Sequence, residues 1–98
     1  MTGESIPKEL AEARKLIDEI DADLVSLLAR RFALTHQVGK LKAANSLDPV
    51  DPGREARKLQ SIQALAEAQN LNPQLVTDLF ARIMAEAVRN HRRIKGES

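Results

Sequence analysis

The chain has 98 residues, of which 43% are hydrophobic, 30% are charged and 2% are aromatic, and its formal net charge is +1. This length fits one domain with a small core, and the near-neutral charge gives no general attraction to nucleic acid or to a membrane surface. Cysteine is absent, which excludes disulfides, thiol catalysis and cysteine-ligated zinc.

The first long stretch, about residues 7–42, has the seven-residue repeat of a helix that packs along a seam. Two lines of apolar residues carry the repeat: Leu10, Ile17, Leu24 and Val38 on one, and Ala13, Ile20, Leu27, Leu34 and Leu41 on the other. Arg31 falls where the first line requires an apolar residue. A guanidinium on a buried seam is costly unless it meets an anion.

The predicted length of this helix favours a dimer. A helix of about 35 residues is roughly 50 Å long, whereas a compact domain of this size has a radius of gyration of only about 13 Å. The rest of the chain is too short to cover such a helix. We therefore predict an intertwined helical homodimer, in which a second chain covers the seam.

Two shorter helices are predicted after the first. Two Asp-Pro pairs and a glycine mark the connecting loop, and Asp51 followed by Pro52 is a favourable helix start. A single all-α domain is therefore predicted over residues 1–98. Its predicted parts are a flexible N-terminus at 1–6, helices at about 7–42, 52–69 and 73–93, a loop at 43–51 and a tail at 94–98.

Five charged or titratable side chains fall on or beside helix faces that should be apolar: Arg31, Lys42, Arg54, Glu55 and His91. Each alone has an ordinary structural explanation, such as helix register, snorkelling or an ion pair at a helix start. Together they favour a binding site for an anionic small molecule, such as a dicarboxylate. His36 falls away from both apolar lines and is predicted to lie on the surface.

The chain lacks the motifs of covalent, metal-dependent and nucleotide-dependent enzymes. It has no glycine-rich phosphate loop, no metal-ligand spacing and no nucleophile–base pair that the pattern places together. An enzyme built from these residues would work by positioning and electrostatics. Composition and spacing alone thus indicate an all-α, dimeric binder of an organic anion.

A series of short motifs, in one order and spacing, adds a resemblance. They are Arg14, Ile20-Asp21, Leu27-Leu28-x-x-Arg31, Gly39-Lys40-x-Lys42, Asp51-x-x-Arg54-Glu55 and His91. No single motif is specific, but over about residues 8–93 the series resembles the all-helical chorismate mutases of the bacterial class.

The resemblance implies that the chain rearranges chorismate to prephenate, the committed step toward phenylalanine and tyrosine, without a cofactor or a metal. It implies catalytic roles for Arg31, Lys42, Glu55 and His91. It implies substrate-binding roles for Arg14, Arg31, Lys42, Asp51, Arg54, Glu55, Ala87 and His91. Two identical sites per dimer follow from it, each built from both chains.

The resemblance also implies how each residue contacts the substrate. Arg31 and Arg14 of the partner subunit would hold the two carboxylates. Lys42 would face the ether oxygen, assisted by a hydrogen-bond donor at His91. The ring hydroxyl would be held by Glu55 and the Asp51 backbone, beside the cationic wall that Arg54 completes.

Two positions depart from the family pattern. Many members have glutamine where this chain has His91, and a small hydroxyl where it has Ala87. Substrate orientation is therefore expected to be looser, and activity of the chain alone is expected to be weak. Some short family members are activated by docking onto the first enzyme of the shikimate pathway. The basic end, with Arg92, Arg93 and Lys95, is either such a docking surface or a set of cations that complements the helix C-terminus.

Two alternative functions stay open. One is an isochorismate pyruvate lyase on the same fold, which would use similar cations. The other is a non-enzymatic helical dimerisation or adaptor module, which would need none of the inward polar residues. No apolar run approaches the roughly 20 residues of a membrane span and no signal peptide is expected, so a cytoplasmic location is predicted.

Overall fold

The computed structural model describes residues 6–96, and in that range it contains three α-helices and no strand. The helices are α1 at Lys8–Ala44, α2 at Pro52–Ala68 and α3 at Pro73–Lys95. The predicted all-α class with a long first helix is confirmed. The predicted flexible N-terminus lies outside the described residues, apart from Ile6 at its end.

The chain divides into two compact units at Ala33 and Leu34, within α1. In the first unit almost every described side chain is exposed; Leu28, Arg31 and Phe32 are half-buried. The apolar residues of the predicted seam share this exposure: Ile17, Ile20, Leu24 and Leu27 are 52–58% exposed. A single chain therefore leaves this apolar stripe facing solvent.

The second unit has its core between α2 and α3, which pack against each other. Ile62 and Ala66 of α2 are buried, as are Ile83 and Ala87 of α3. His91 continues the α3 stripe one turn beyond Ala87 and is also buried. The predicted inward position of His91 thus agrees with the structure.

The helix starts follow the predicted capping chemistry. Asp51 caps α2, because its side chain accepts a hydrogen bond from the backbone N–H of Arg54 at 3.2 Å and Pro52 opens the helix. Asn72 caps α3 in the same way, accepting from the backbone N–H of Gln74 at 3.0 Å. These two caps set where the second unit changes direction.

The third helix continues two residues beyond its predicted end at 93, so 94 and 95 belong to α3 and not to the tail. Ile94 is half-buried, and its Cδ1 would lie 2.8 Å from a Cβ placed on Gly39. This packing favours the two extra residues. Gly96 then ends the helix in the left-handed conformation, with φ 91°, and donates its N–H to the Arg93 carbonyl at 3.1 Å. The first helix also ends later than predicted, at Ala44.

No helix within residues 6–96 is both long enough and apolar enough to cross a membrane.

Candidate functional site

The second unit contains a groove bordered by α2 and α3. Glu55 and Leu59 line it from α2, and Val88 and Arg92 line it from α3. Ala81, Met84 and Ala85 add apolar walls. Glu55 is half-buried, as its predicted inward position requires. The groove therefore combines a carboxylate that can accept hydrogen bonds, a guanidinium and an apolar surface.

Arg89 also lines this groove, but its guanidinium is bound to the Glu86 carboxylate one turn earlier. The hydrogen bond from Arg89 and its positive charge lower the pKa of Glu86 below its ordinary value. Such an exposed pair contributes little to stability. Arg89 is thus already engaged with a carboxylate, and Arg92 contributes a second guanidinium to the groove.

Lys42 lies near the C-terminal end of α1 and is half-buried. Its Nζ donates a hydrogen bond to the Pro49 carbonyl at 3.2 Å, and Pro49 is buried. The ammonium therefore ties the loop after α1 to the end of that helix. Because an ammonium has three donors, this contact leaves hydrogen-bonding capacity for a ligand.

Asp51 and Arg54 are both exposed at the start of α2. The Asp51 carboxylate caps α2 as described above, and the Asp51 backbone carbonyl accepts a hydrogen bond from the Glu55 N–H at 3.0 Å. The Arg54 guanidinium extends from the first turn of the same helix. These two residues and Glu55 therefore share one helix start.

Ala87 and His91 occupy one face of α3, a turn apart. The Nε2 atom of His91 lies 2.8 Å from the Thr35 carbonyl oxygen in α1, and the residue is only 7% exposed. The Nδ1 atom has no hydrogen-bond partner among the described residues. His36, by contrast, is exposed and lies 2.9 Å from the Asn90 side-chain nitrogen, in agreement with its predicted surface position.

Sequence reasoning did not foresee the packing role of Gly39. A Cβ at this position would lie 2.7 Å from His91 Cδ2 and 2.8 Å from Ile94 Cδ1. Glycine in a helix interior weakens the helix by about 1 kcal/mol relative to alanine. That weakness is the sequence signal for a close approach, and here α1 and α3 approach each other at Gly39.

We expect Gly39→Ala to destabilise the fold despite its better helix propensity. The new methyl group would displace the His91 ring and Ile94, which costs about 1–3 kcal/mol for an overpacked core. Urea unfolding followed by circular dichroism measures the change. Gly53→Ala is the matched control, because a Cβ there meets only the end of the flexible Arg57 side chain within 3.4 Å. Equal stability of Gly39→Ala and the wild type would contradict the close approach.

The first unit holds the other two predicted site residues. Arg14 is exposed and Arg31 is half-buried. The second unit holds Lys42, Asp51, Arg54, Glu55, Ala87 and His91. Arg92, which lies at the basic end of α3, also lines the groove that Glu55 lines.

The described residues contain no cluster of three or more histidine, cysteine or carboxylate side chains that could hold a metal ion.

Comparison with known proteins adds a family match. The model of the family described as chorismate mutase type II matches residues 13–92. Every predicted site residue, from Arg14 to His91, falls within that match.

Individual relatives agree with this match. The chain is 39% identical over 79 residues to the T-protein of Enterobacter agglomerans, an alignment that covers 81% of the chain and 21% of that protein. It is 34% identical over 91 residues to the isochorismate pyruvate lyase of Pseudomonas aeruginosa, covering 89% of each. It is 33% identical over 73 residues to the chorismate mutase of Methanocaldococcus jannaschii, covering 74% of each. The chain thus spans about a fifth of the T-protein and most of the two shorter relatives.

Proposed function

Since the chain belongs to the chorismate mutase type II family, we propose that it catalyses the rearrangement of chorismate to prephenate. The observation that carries the proposal is the family match over residues 13–92, because it includes all the polar residues that intrude on the apolar helix faces. The similarity to a protein named chorismate mutase, over 74% of each chain, supports it.

The reaction requires positioning and charge stabilisation, which the charged side chains of this chain can supply. Chorismate rearranges by breaking its ether C–O bond and forming a new C–C bond within one molecule, so no nucleophile and no proton acceptor is needed. A site accelerates the step by holding the substrate in its compact conformer. It also stabilises the negative charge that develops on the ether oxygen as the C–O bond breaks.

In the second unit, Lys42 supplies a cation for that oxygen, with donors left over after its bond to Pro49. Glu55 accepts a hydrogen bond from the ring hydroxyl in the groove that it shares with Val88 and Arg92. Arg54 adds positive charge from the first turn of α2, one residue before Glu55.

Arg31 and the partner subunit's Arg14 bind the two carboxylates, which requires a homodimer with two shared sites. The exposed apolar stripe of α1 supports dimerisation, because Ile17, Ile20, Leu24 and Leu27 are more than half exposed in one chain. A monomer rarely leaves such a continuous apolar stripe in water. A second copy of this chain, which presents the same stripe, is the natural cover.

The test is direct. Purified protein is mixed with chorismate, and loss of chorismate absorbance is followed; the product is then converted by acid to phenylpyruvate and identified. We expect enzyme-dependent loss of chorismate and formation of phenylpyruvate after acid treatment. Recovery of unchanged chorismate at high protein concentration would contradict the proposal.

An isochorismate pyruvate lyase is the second candidate, favoured by the 34% identity to the lyase of Pseudomonas aeruginosa over 89% of each chain. The two reactions use similar cations but release different products. Mass spectrometry of products from each substrate separates them, because only the lyase releases pyruvate from isochorismate. Release of pyruvate faster than formation of prephenate would make the lyase the principal activity.

We also propose that the chain works in the cytoplasm.

We further propose that the basic end of α3 binds an activating partner, the first enzyme of the shikimate pathway. Arg93 and Lys95 lie in the last turn of α3 and are exposed. Exposed cations of this kind increase the rate at which an acidic partner surface associates.

The partner test uses the same organism's pathway enzyme. Adding it is expected to raise mutase activity at least about tenfold, a coupling of roughly 1.4 kcal/mol. The Arg93→Gln/Lys95→Gln variant is expected to keep its basal rate and lose most of the gain. Arg82→Gln, which removes an exposed cation from the same helix, is the control. Equal stimulation of both variants and the wild type would leave the basic end without a docking role.

A further inference from the structure

The chain turns back over the end of α1 directly after this helix. The Lys42 carbonyl accepts a hydrogen bond from the Leu47 N–H at 2.8 Å, and the Ala43 carbonyl accepts one from the Ser46 N–H at 3.2 Å. Ser46 has a φ of 55°, the left-handed conformation with which many helices end. The turn therefore brings the following residues back toward Lys42, the residue whose ammonium is proposed to face the substrate ether oxygen.

Lys42 is held at its ammonium as well as at its backbone. Its Nζ donates a hydrogen bond to the Pro49 carbonyl at 3.2 Å; Lys42 is half-buried and Pro49 is buried. Val50 follows Pro49 directly and lines the groove that Glu55 also lines. One short segment therefore contacts the Lys42 ammonium and borders the groove.

The peptide group between Pro49 and Val50 is held at both of its polar atoms. The Asp48 Oδ1 atom accepts a hydrogen bond from the Val50 N–H at 2.9 Å. The Val50 N–H and the Pro49 carbonyl belong to one planar trans peptide group, so they point in opposite directions. By holding the N–H on one side, Asp48 directs the carbonyl to the other side, where the Lys42 ammonium accepts this orientation by donating to it.

The local sequence leaves little other freedom in this segment. The proline ring fixes φ of Pro49, and a residue before proline, here Asp48, is restricted to extended conformations. The remaining rotation is ψ of Pro49, which turns the peptide plane that carries the carbonyl. The hydrogen bond from Val50 to Asp48 restricts that rotation, as aspartate side chains do in turns.

We propose that Asp48 is a positioning residue for Lys42: it fixes the Pro49 carbonyl through the Val50 N–H, and that carbonyl holds the Lys42 ammonium in one place. The effect on catalysis rests on the proposed mutase activity, in which Lys42 faces the ether oxygen. The link from Asp48 to Lys42 through one peptide group is a property of the protein alone.

A fixed ammonium matters because the charge on the ether oxygen develops only in the transition state. One N–H of Lys42 is used by Pro49, which leaves two donors for the substrate and sets where they point. Loss of this position removes an interaction of the transition state, so kcat falls while KM changes little. A displacement of about 1 Å can lower a rate about 100-fold.

The first experiment compares the kinetics of three substitutions at Asp48. Asp48→Ala removes the acceptor and is expected to lower kcat about 10- to 100-fold, with KM within about twofold of the wild type. Asp48→Asn keeps an oxygen that accepts the Val50 N–H, so it is expected to keep most of kcat without the charge. Asp48→Glu keeps the charge but moves the oxygen by one methylene, and it is expected to behave like Asp48→Ala.

Asn72→Ala is the matched control, because Asn72 makes the same kind of contact elsewhere in the chain. The Asn72 Oδ1 atom accepts a hydrogen bond from the Gln74 N–H at 3.0 Å across a proline, as Asp48 does across Pro49, and both side chains are exposed. Asn72→Ala is expected to lower stability and to keep kcat. A purely structural role of Asp48 would give the two alanine variants the same kinetics.

The second experiment needs no substrate. Proton–nitrogen correlation spectra of nitrogen-15-labelled protein detect lysine ammonium groups, whose signals sharpen where a hydrogen bond slows exchange with water; Lys42→Gln assigns the Lys42 signal. We expect this signal to be sharp in the wild type and in Asp48→Asn, and to broaden in Asp48→Ala and Asp48→Glu. The exposed Lys40 ammonium is the internal reference and is expected to be broad in every sample.

The outcomes separate the inference from the proposed function. A Lys42 signal that is unchanged in Asp48→Ala and Asp48→Glu would overturn the positioning role. So would an unchanged kcat in both variants, or a loss in Asp48→Asn as large as in Asp48→Ala. No mutase activity in the wild type, together with the expected ammonium signals, would overturn the proposed function while confirming that Asp48 positions Lys42.

Discussion

Arg14→Ala and Arg31→Ala are each expected to lower mutase activity roughly 30-fold or more while the protein stays folded. Each change removes a guanidinium that would pair with a substrate carboxylate, and truncating one partner of a desolvated charge pair costs about 2–5 kcal/mol. A cost in that range corresponds to roughly 30-fold or more in rate, since 1.36 kcal/mol is a factor of ten. Steady-state kinetics with chorismate measures the loss.

Mixed dimers make this prediction specific. If Arg14 serves the site of the partner subunit, a dimer of one Arg14→Ala chain and one Arg31→Ala chain has one site with neither change and one site with both. Such heterodimers, purified with two different tags, are expected to recover about half of the wild-type activity, as the symmetry of two shared sites requires. Arg30→Ala, an exposed neighbour of Arg31, is the control and is expected to stay active.

Two outcomes would contradict shared sites. Heterodimers that stay as inactive as either parent would show that Arg14 and Arg31 act within one chain or not at all. Full activity of Arg14→Ala homodimers would remove Arg14 from the site.

The helices could be predicted because their signals are local. Heptad periodicity predicted α1, and a capping side chain followed by proline marked the starts of α2 and α3, at Asp51-Pro52 and Asn72-Pro73. The C-terminal ends were less accurate. The extra residues of α3 depend on packing between Ile94 and the backbone at Gly39, which are far apart in the sequence.

In the candidate site, too, local features could be predicted and contacts between distant residues could not. Glu55 and His91 could be assigned to inward faces from spacing alone, and both are at least half-buried. The acceptor for His91 could not be found in this way, because it is the backbone carbonyl of Thr35 and every residue has such a group. Arg92 was assigned to the basic end together with Arg93 and Lys95, and spacing alone could not show that it also lines the groove with Glu55.

The largest expected effect on assembly comes from a charge in the α1 stripe. Leu24→Lys is expected to prevent dimerisation and, with it, to remove most of the helical signal at micromolar concentration. Leu24 is 54% exposed in one chain and lies on the predicted seam, so a dimer would bury the new ammonium without a partner. The effective penalty is several kcal/mol per buried ion, and a symmetric dimer would bury two. This penalty is comparable with the whole free energy of unfolding of a typical protein, which is about 5–15 kcal/mol.

Val25→Lys separates this effect from a general effect of charge on α1. Val25 is adjacent in sequence and 67% exposed, but it lies off the seam, so its lysine stays in water and the dimer is expected to persist. Sedimentation and circular dichroism over a range of concentrations compare the two variants with the wild type, whose melting temperature is expected to rise with concentration. A stable, folded 10.8 kDa monomer of the wild type would contradict the intertwined dimer. If Leu24→Lys and Val25→Lys changed sedimentation and helical signal equally, the dimer contact would have to lie on another face of α1.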